Sequence, residues 1–196
     1  DSSDRYELVQ AFRRLRTNLQ FFSTKKNCTK VLVTSLMPGE GKTFTSVNLA
    51  SVFAIAEKRV LIIDLDLHKP RLAKAMERDN EVGVSSFLMG SLPIGDVIQK
   101  TELSTLDIIS SGPVPPNASE LILKRELLEI FEYADEHYDY VFFDTPPISL
   151  ITDGVVLMRQ VDIKLFVLNS KFTTKTSLDY LEKLIDENST EGCALI

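Results

Sequence analysis

The sequence predicts a doubly wound α/β domain, with a mostly parallel sheet flanked by helices, and two observations support that prediction. Short apolar runs rich in Val, Ile and Phe alternate along the chain with amphipathic stretches, which is the pattern of strand–helix–strand units. The apolar runs lack polar alternation, as strands buried on both faces do. With 196 residues, the chain has the length of a single domain with a full core.

The first half of the chain supplies two helices and two strands. Tyr6–Phe22 is amphipathic and predicts a helix, which precedes the apolar strand Lys30–Ser35 (KVLVTS). The amphipathic stretch Lys42–Glu57 predicts a second helix, and the strand Arg59–Asp64 (RVLIID) comes directly after it. This order of strand, helix and strand predicts a pair of parallel strands.

The second half continues the alternation. We predict strands at Leu106–Ser110, Tyr140–Asp144, Asp162–Asn169 and Cys193–Ile196. We predict helices at Ser119–His137, Thr152–Arg159 and Thr174–Asn188. The stretch GPVPPN at residues 112–117 predicts a rigid turn that leads to a helix start at Ala118 or Ser119. The last strand-like run has nothing after it, so we expect a further carboxy-terminal segment.

Composition and charge exclude several classes of protein. The chain is 44% apolar and 26% charged, which is typical of a folded globular protein rather than a disordered one. Its net charge of −6 argues against nucleic acid as the main partner. Residues 1–30 are nevertheless basic, with seven Lys or Arg against three acids. That segment could face an acidic partner, an anionic membrane surface or solvent.

A loop after the first strand has the residues of a phosphate-binding loop. Residues 35–43 read SLMPGEGKT and lie between a strand and a helix. Gly39 and Gly41 let backbone N–H groups turn toward phosphates, and the helix amino terminus adds partial positive charge. We expect Lys42 to reach the β- and γ-phosphates and Thr43 to offer its hydroxyl to Mg²⁺. The predicted nucleotide-binding residues are Pro38, Gly39, Glu40, Gly41, Lys42, Thr43 and Phe44, and the predicted ligand is ATP or GTP with magnesium.

Three carboxylates come at the ends of two predicted strands. Asp64 and Asp66 end one strand, and Asp144 ends another. Because the carboxyl ends of parallel strands form the ligand crevice of an open sheet, we expect these groups beside the phosphate loop. Carboxylates there suit a hard cation. We predict that Asp144, Asp66 and Thr43 hold Mg²⁺ and that Asp64 accepts a proton from an attacking hydroxyl.

Five motifs follow one another along the chain. They are FRRLRTNL at residues 12–19, SLMPGEGKT at 35–43, IIDLDLHKP at 62–70, PPNASEL at 115–121 and FFDTPP at 142–147. Together they resemble the motifs of the bacterial tyrosine kinases, the cytoplasmic domains that control capsule and exopolysaccharide export. The resemblance extends from about residue 10 to the end of the chain.

The resemblance implies a fold of the MinD/ParA-like branch of P-loop proteins, reworked into a kinase. It implies that residues 1–196 form a single kinase domain, in which Lys42, Asp64 and Asp66 are catalytic and Asp144 is the Walker B acid. The implied reaction transfers phosphate from ATP, with Mg²⁺, to tyrosines in the kinase's own carboxy-terminal tail, between neighbouring subunits of a ring.

The resemblance also implies partners and a location. The partners are a transmembrane polysaccharide co-polymerase, fused or separate, and a cognate tyrosine phosphatase, and no nucleic acid is expected. The location is the cytoplasm, at the inner face of the bacterial cell membrane. Residues 1–29 are the expected oligomer segment.

The chain departs from the family's pattern at several positions. In the ring motif E-x-x-R-x-x-R, Gln10 replaces the glutamate while Arg13 and Arg16 remain, so we expect a weaker contact between subunits. His68 stands where the second acidic motif often has arginine, and we expect it at the surface. Arg71 stands where some relatives carry a regulatory tyrosine, so we expect that switch to be absent.

The five tyrosines are Tyr6, Tyr133, Tyr138, Tyr140 and Tyr180, and none of them belongs to a cluster at the chain end. We expect Tyr138 and Tyr140 to pack in the core, and the acceptor tail to lie outside this sequence. Cys28 and Cys193 have no paired spacing and are expected to be reduced thiols with a structural role.

Two other functional classes remain open. One is a MinD/ParA-type ATPase switch that cycles on and off a partner, and the other is a scaffold that binds nucleotide without turnover. Such switches usually carry an extra lysine at the position of Met37, and ordinary phosphate loops carry a glycine at the position of Leu36. Both departures favour the kinase.

Overall fold

The computed structural model describes residues 2–22, 28–148, 157–187 and 191–196. In chain order the elements are α1 Ser2–Phe22, β1 Thr29–Ser35, α2 Lys42–Ile55, β2 Val60–Asp64, α3 Leu72–Ala75, α4 Val84–Leu88, α5 Ile94–Val97, β3 Ile98–Lys100, β4 Leu106–Ile109, α6 Ala118–Ile122, α7 Leu127–His137, β5 Tyr140–Asp144, β6 Ile163–Val167, α8 Lys175–Glu187 and β7 Cys193–Leu195. No helix among these residues is long and apolar enough to cross a bilayer.

The strands form one sheet in the order β3-β4-β2-β5-β1-β6-β7. Every neighbouring pair is parallel except β3 and β4. All residues of β1, β2, β4, β5 and β6 are buried, as their continuous apolar character predicts. The prediction of a mostly parallel sheet is therefore confirmed.

Helices cover both faces of the sheet. One apolar cluster joins α6 and α7, through residues such as Leu121 and Phe131, to Phe143 of the central strand β5. The other cluster joins α1 and α2 to the opposite side of the same strands, and there Phe53 packs 5.4 Å from Phe142 between ring centroids. Successive residues of β5 thus face opposite clusters. This is the doubly wound architecture that the sequence predicts.

The central register aligns the strand ends that carry the acids. Asp64 of β2 pairs with Asp144 of β5, and Asp144 pairs in turn with Val33 of β1. The loop that follows β1 therefore begins beside both carboxylates. This alignment brings the phosphate loop and the acidic strand ends to one edge of the sheet.

Several elements differ from the sequence-based prediction. The edge strand β3 and the short helices α3, α4 and α5 were not predicted, because segments of three to five residues give no measurable period. The predicted helix Ser119–His137 is two helices, α6 and α7. Their break accompanies a tertiary contact, in which Lys124 Nζ donates to Leu88 O at 2.9 Å. Most of the predicted helix Thr152–Arg159 lies outside the described residues.

Candidate nucleotide site

The phosphate loop takes its shape from two glycines in the left-handed region. Gly39 has φ +87° and Gly41 has φ +102°, values that other residues rarely adopt. The space around them is open, since a Cβ at Gly39 would meet no atom within 4 Å. Backbone conformation is therefore what requires glycine here. Gly41 also caps α2, so the loop ends at a helix amino terminus, which favours anions.

The side chain of Glu40 stabilises the phosphate loop through hydrogen bonds. It is buried, and its Oε2 accepts a hydrogen bond from Met37 N at 2.7 Å. Its Oε1 accepts another from Thr173 Oγ1 at 3.3 Å, in the segment between β6 and α8. This carboxylate therefore closes the loop on itself and ties it to a distant segment. The sequence analysis predicted Glu40 among the nucleotide-binding residues and did not anticipate this contact.

Lys42 lies at the first position of α2 and lines the cavity beside the loop. Burial lowers the pKa of its ammonium group, while the carboxylates of Asp144, Asp66 and Glu40 act in the opposite direction. A partly desolvated cation among acids is a strong ligand for phosphate oxygens. The side chain of Lys42 therefore lies at the cavity, and its contact with the β- and γ-phosphates stays a prediction.

Thr43 and Asp144 are in direct contact. Thr43 Oγ1 donates to Asp144 Oδ2 at 2.6 Å, and Ser46 Oγ donates to Asp144 Oδ1 at 3.2 Å. Burial raises the pKa of Asp144 to about 6, against the opposing effects of these two hydroxyls and of Lys42. Two of the three predicted magnesium ligands therefore lie together at the cavity. Ser46, one turn further along α2, was not anticipated.

Asp64 lies behind the cavity wall, fully buried at the end of β2. Its Oδ1 accepts a hydrogen bond from Asp66 N at 3.0 Å, and its Oδ2 accepts one from Leu72 N at 3.1 Å. Burial, and then the nearby Asp144, raise the pKa of this carboxyl to about 7. Because its side chain does not line the cavity, the prediction that Asp64 accepts the proton of an attacking hydroxyl gains no support from this geometry.

One cavity of about 490 Å³ lies between the phosphate loop, the segment after β2 and the segment after β5. Its lining residues are Pro38, Gly39, Gly41, Lys42, Thr43, Phe44, Asp66, His68, Lys69, Arg71, Ser119, Asp144, Pro146 and Pro147. Six of the seven predicted nucleotide-binding residues are among them, and the seventh, Glu40, points into the loop. His68 is exposed as expected, and its Nε2 lies 3.3 Å from Ser119 Oγ.

Comparison with known proteins identifies the family. The sequence model of the AAA domain family matches residues 29–191. Tyrosine-protein kinase YwqD of Bacillus subtilis is 39% identical over 166 residues, which are 85% of this chain and 70% of that protein. The chain belongs to the bacterial tyrosine-protein kinase family. The predicted family and enzyme class are therefore confirmed.

Other members of the family agree in sequence and structure. Tyrosine-protein kinase etk of Escherichia coli is 36% identical over 179 residues, and this chain spans only 25% of its length. The solved structure of the kinase domain of Escherichia coli tyrosine kinase ETK superposes with a TM-score of 0.88 at 33% identity, covering 95% of this chain and 74% of that one. The chimerical protein CapA2B2 superposes with a TM-score of 0.86 at 32% identity, covering 94% of this chain and 82% of that one.

The fold extends beyond the kinases. The cell division ATPase MinD of Pyrococcus furiosus superposes with a TM-score of 0.69, covering 85% of this chain and 69% of that one. At 22% identity, this likeness shows the fold alone. It confirms the predicted MinD/ParA-like architecture of the kinase domain.

The donors at the kinase's cavity fit a magnesium ion. No group of three His, Cys, Asp or Glu side chains that could form a complete metal cage is found in the described part of the chain. Mg²⁺ needs no such cage, because it usually keeps several waters and takes one or two carboxylates with substrate phosphates. The hydroxyl of Thr43 and the carboxylates of Asp144 and Asp66 line one cavity and are donors of that kind.

The three residues predicted at subunit contacts lie along α1. Arg13 is exposed, while Gln10 and Arg16 are partly buried. Arg16 already has a partner within the chain, since its Nη1 donates to Val52 O of α2 at 2.8 Å. Arg16 therefore fastens α1 to the domain. The role of these residues between subunits stays a prediction.

Proposed function

We propose that this chain is the catalytic domain of an ATP-dependent protein tyrosine kinase that phosphorylates neighbouring subunits on a carboxy-terminal tyrosine cluster. One observation supports this most directly. Lys42, Thr43, Asp66 and Asp144 converge on one cavity, and the chain is a member of the tyrosine-kinase family. The cavity supports nucleotide binding, and membership of the family supports a tyrosine acceptor.

The proposed transfer uses this chain's residues mainly to position and stabilise charge. The tyrosine oxygen bonds to the terminal phosphorus, the bond from that phosphorus to the bridging oxygen breaks, and ADP leaves. Lys42 and the backbone N–H groups of the loop bind the phosphate oxygens on which charge develops. The tyrosine proton passes to a carboxylate. Asp66 lines the cavity and Asp64 does not, so Asp66 is the better placed acceptor, through whichever of its two oxygens a bound magnesium ion would leave free.

Thr43, Asp144 and Asp66 would hold the magnesium ion. When bound, Mg²⁺ supplies positive charge to the phosphate oxygens during transfer. Asp64 holds Asp66 in position, because its Oδ1 accepts a hydrogen bond from the backbone N–H of Asp66.

The wider biological role is also a proposal. We infer that the kinase regulates capsule or exopolysaccharide polymerisation and export from the cytoplasmic face of the membrane. Its partners would be a transmembrane polysaccharide co-polymerase, a tyrosine phosphatase and neighbouring copies of itself, with α1 contributing Gln10, Arg13 and Arg16.

Phosphoamino-acid analysis tests the proposal. The full-length protein is incubated with γ-labelled ATP and Mg²⁺, and labelled phosphotyrosine is expected. Lys42→Met, which removes the phosphate-binding ammonium, should abolish the label while the protein stays folded. Lys74→Met is the matched control, because Lys74 is exposed on α3 and does not line the cavity.

Three results would contradict the proposal. Free phosphate without phosphotyrosine would favour the ATPase switch. Bound nucleotide without either product would favour a scaffold. Phosphotyrosine retained in Lys42→Met would show that this cavity is not the catalytic site.

A further inference from the structure

The loop between β2 and α3 brings positive charge to the cavity from a segment other than the phosphate loop. Lys69 and Arg71 of this segment line the same cavity as Lys42. Three cationic side chains therefore face two carboxylates, Asp66 and Asp144. A cavity with this excess, before any metal is bound, suits a strongly anionic ligand such as a nucleoside triphosphate.

Arg71 and Lys42 reach this cavity from different segments of the chain. Arg71 follows β2, and Lys42 is the first residue of α2. Two cations that line one cavity from separate segments can bind the same anion together. The position of Arg71 is therefore compatible with contact to the phosphates that Lys42 is expected to bind.

The guanidinium of Arg71 is available for a ligand. Its side chain is exposed, and it makes no hydrogen bond or ion pair within the described ranges of the chain. Arginine carries five N–H donors in a rigid fork that matches a phosphate group bidentately. By contrast, Arg16 and Arg78 have their guanidinium groups engaged within the chain, with Val52 O and with Glu102.

The backbone that carries Arg71 is held at both ends by one carboxylate. Asp64 Oδ1 accepts from Asp66 N, and Asp64 Oδ2 accepts from Leu72 N, the residue after Arg71. Arg71 O in turn accepts from Ala75 N at 3.0 Å in α3. A fixed backbone with a free guanidinium is a pre-positioned donor, which loses little conformational freedom when it binds.

The phosphate loop itself supplies only one cationic side chain. Its position 37 is Met, with 50% of its surface exposed, where the related switch proteins were expected to have a lysine. Any second cationic side chain at the terminal phosphate would therefore come from another segment. Arg71 is the arginine that lines the cavity.

We propose that Arg71 is a second phosphate-binding residue, whose guanidinium binds the terminal phosphate of the nucleotide opposite Lys42. This inference rests on the proposed nucleotide site. Two parallel N–H donors bond the non-bridging oxygens. Their charge offsets the negative charge that spreads over those oxygens during transfer. Asp64 acts as the positioning residue that holds Arg71 in place.

The test compares two nucleotides that differ only in the terminal phosphate. Affinities of the full-length protein for Mg·ADP and for the Mg complex of β,γ-imido-ATP are measured by titration calorimetry. Arg71→Ala should weaken binding of the imido analogue by roughly 10-fold to 100-fold and leave ADP within about 2-fold. Arg71→Lys, which keeps charge but not the fork, should fall between.

Lys74→Ala is the matched control, since it removes a positive charge outside the cavity, from the short helix that begins directly after Arg71. It should change neither affinity. Equal weakening of ADP and the imido analogue in Arg71→Ala would overturn the inference, and so would unchanged affinities. Absence of nucleotide binding in the unmodified protein would instead overturn the proposed function. If the unmodified protein forms phosphotyrosine and Arg71→Ala binds both nucleotides with unchanged affinity, only the role of Arg71 is overturned and the proposed function stands.

Discussion

Thr43 Oγ1 lies 2.6 Å from Asp144 Oδ2, so the hydroxyl after the phosphate-loop lysine bonds directly to the carboxylate that ends β5. Ser46 Oγ engages the other oxygen of Asp144 at 3.2 Å. One carboxylate therefore ties the first turns of α2 to the neighbouring strand. Two oxygen ligands of one octahedral Mg²⁺ lie about 3 Å apart, so the Thr43–Asp144 pair is already close to that spacing.

Replacing Thr43 should raise the Mg²⁺ requirement of the kinase. Thr43→Ala removes one oxygen donor and leaves Asp144 with Ser46 as its remaining hydroxyl partner. We expect the Mg²⁺ concentration for half-maximal phosphotyrosine formation to rise by roughly 10-fold, since a charge-assisted hydrogen bond or ligand of this kind contributes about 1.5–3 kcal/mol. The measurement is a Mg²⁺ titration at fixed ATP. Thr43→Ser keeps the hydroxyl and should behave nearly as the unmodified protein. An unchanged titration for Thr43→Ala would mean that Thr43 is not a metal ligand.

Asp64→Asn distinguishes a positioning role from a proton-acceptor role. Asparagine offers one oxygen and one NH₂ group, so either Asp66 N or Leu72 N loses its acceptor and faces a donor. We expect the free energy of unfolding to fall by about 1–3 kcal/mol, the cost of an unpaired buried donor. Nucleotide affinity and transfer should fall with it, because the loop that carries Asp66 and Arg71 is displaced. Urea unfolding, calorimetry and phosphotyrosine assays measure the three quantities.

The matched control is Asp79→Asn, because Asp79 is exposed and its Oδ1 accepts a hydrogen bond from one backbone group, Glu81 N. Its unfolding free energy should change by less than about 0.5 kcal/mol. Loss of transfer in Asp64→Asn with unchanged stability and unchanged nucleotide affinity would instead support the proton-acceptor role.

The long buried helices and strands could be predicted from the sequence, whereas the short ones could not. The strand Tyr140–Asp144 is an apolar run that ends at a charged residue. The local sequence is therefore enough to predict both that it is a strand and that it is buried. The three-residue edge strand Ile98–Lys100 exists because it pairs with Asp107–Ile109, which no local signal encodes. The break between α6 and α7 contains neither Gly nor Pro, and it depends on how α6 packs against its neighbours.

Some features of the candidate site could likewise be predicted from the sequence, and others could not. Lys42, Thr43 and Asp144 were predicted because each belongs to a motif whose spacing fixes its position. The burial of Asp64, the tie between Glu40 and Thr173, and the entry of Arg71 into the cavity arise from segments brought together by folding. A motif identifies which residues are near the ligand, but only the tertiary structure decides which of them face it.

The contact between Glu40 and Thr173 should couple the phosphate loop to the segment after β6. Glu40→Gln keeps the shape of the side chain and weakens both of its hydrogen bonds, while Thr173→Val removes only the distant one. In a double-mutant cycle on the free energy of unfolding, we expect a coupling of about 0.5–1.5 kcal/mol. ADP affinity should fall in Glu40→Gln, because the loop loses the bond that closes it. Strictly additive single variants would show that the two residues do not interact in solution.

Cys28 should make the stability of the domain depend on pH in the alkaline range. Burial, supported by the nearby acids Asp135, Asp162 and Asp139 and opposed by Lys30, raises the pKa of its thiol from 9.0 to about 12. In the unfolded chain the thiol ionises near pH 9, whereas in the folded chain it stays neutral. As pH rises from about 9 to about 12, ionisation therefore stabilises the unfolded state and the free energy of unfolding falls.

The difference between two variants isolates this effect from other alkaline titrations. Cys28→Ala also changes packing, but that change is the same at every pH, so only the slope matters. We expect the unfolding free energy of Cys28→Ala, measured in urea from pH 8 to pH 10.5, to fall less steeply than that of the unmodified protein. Cys193→Ser removes the half-buried second thiol. In that variant we expect Cys28 to stay unmodified by iodoacetamide at pH 8 until denaturant is added. Parallel slopes, or rapid labelling of Cys28 in the native protein, would show that this thiol is neither buried nor neutral in solution.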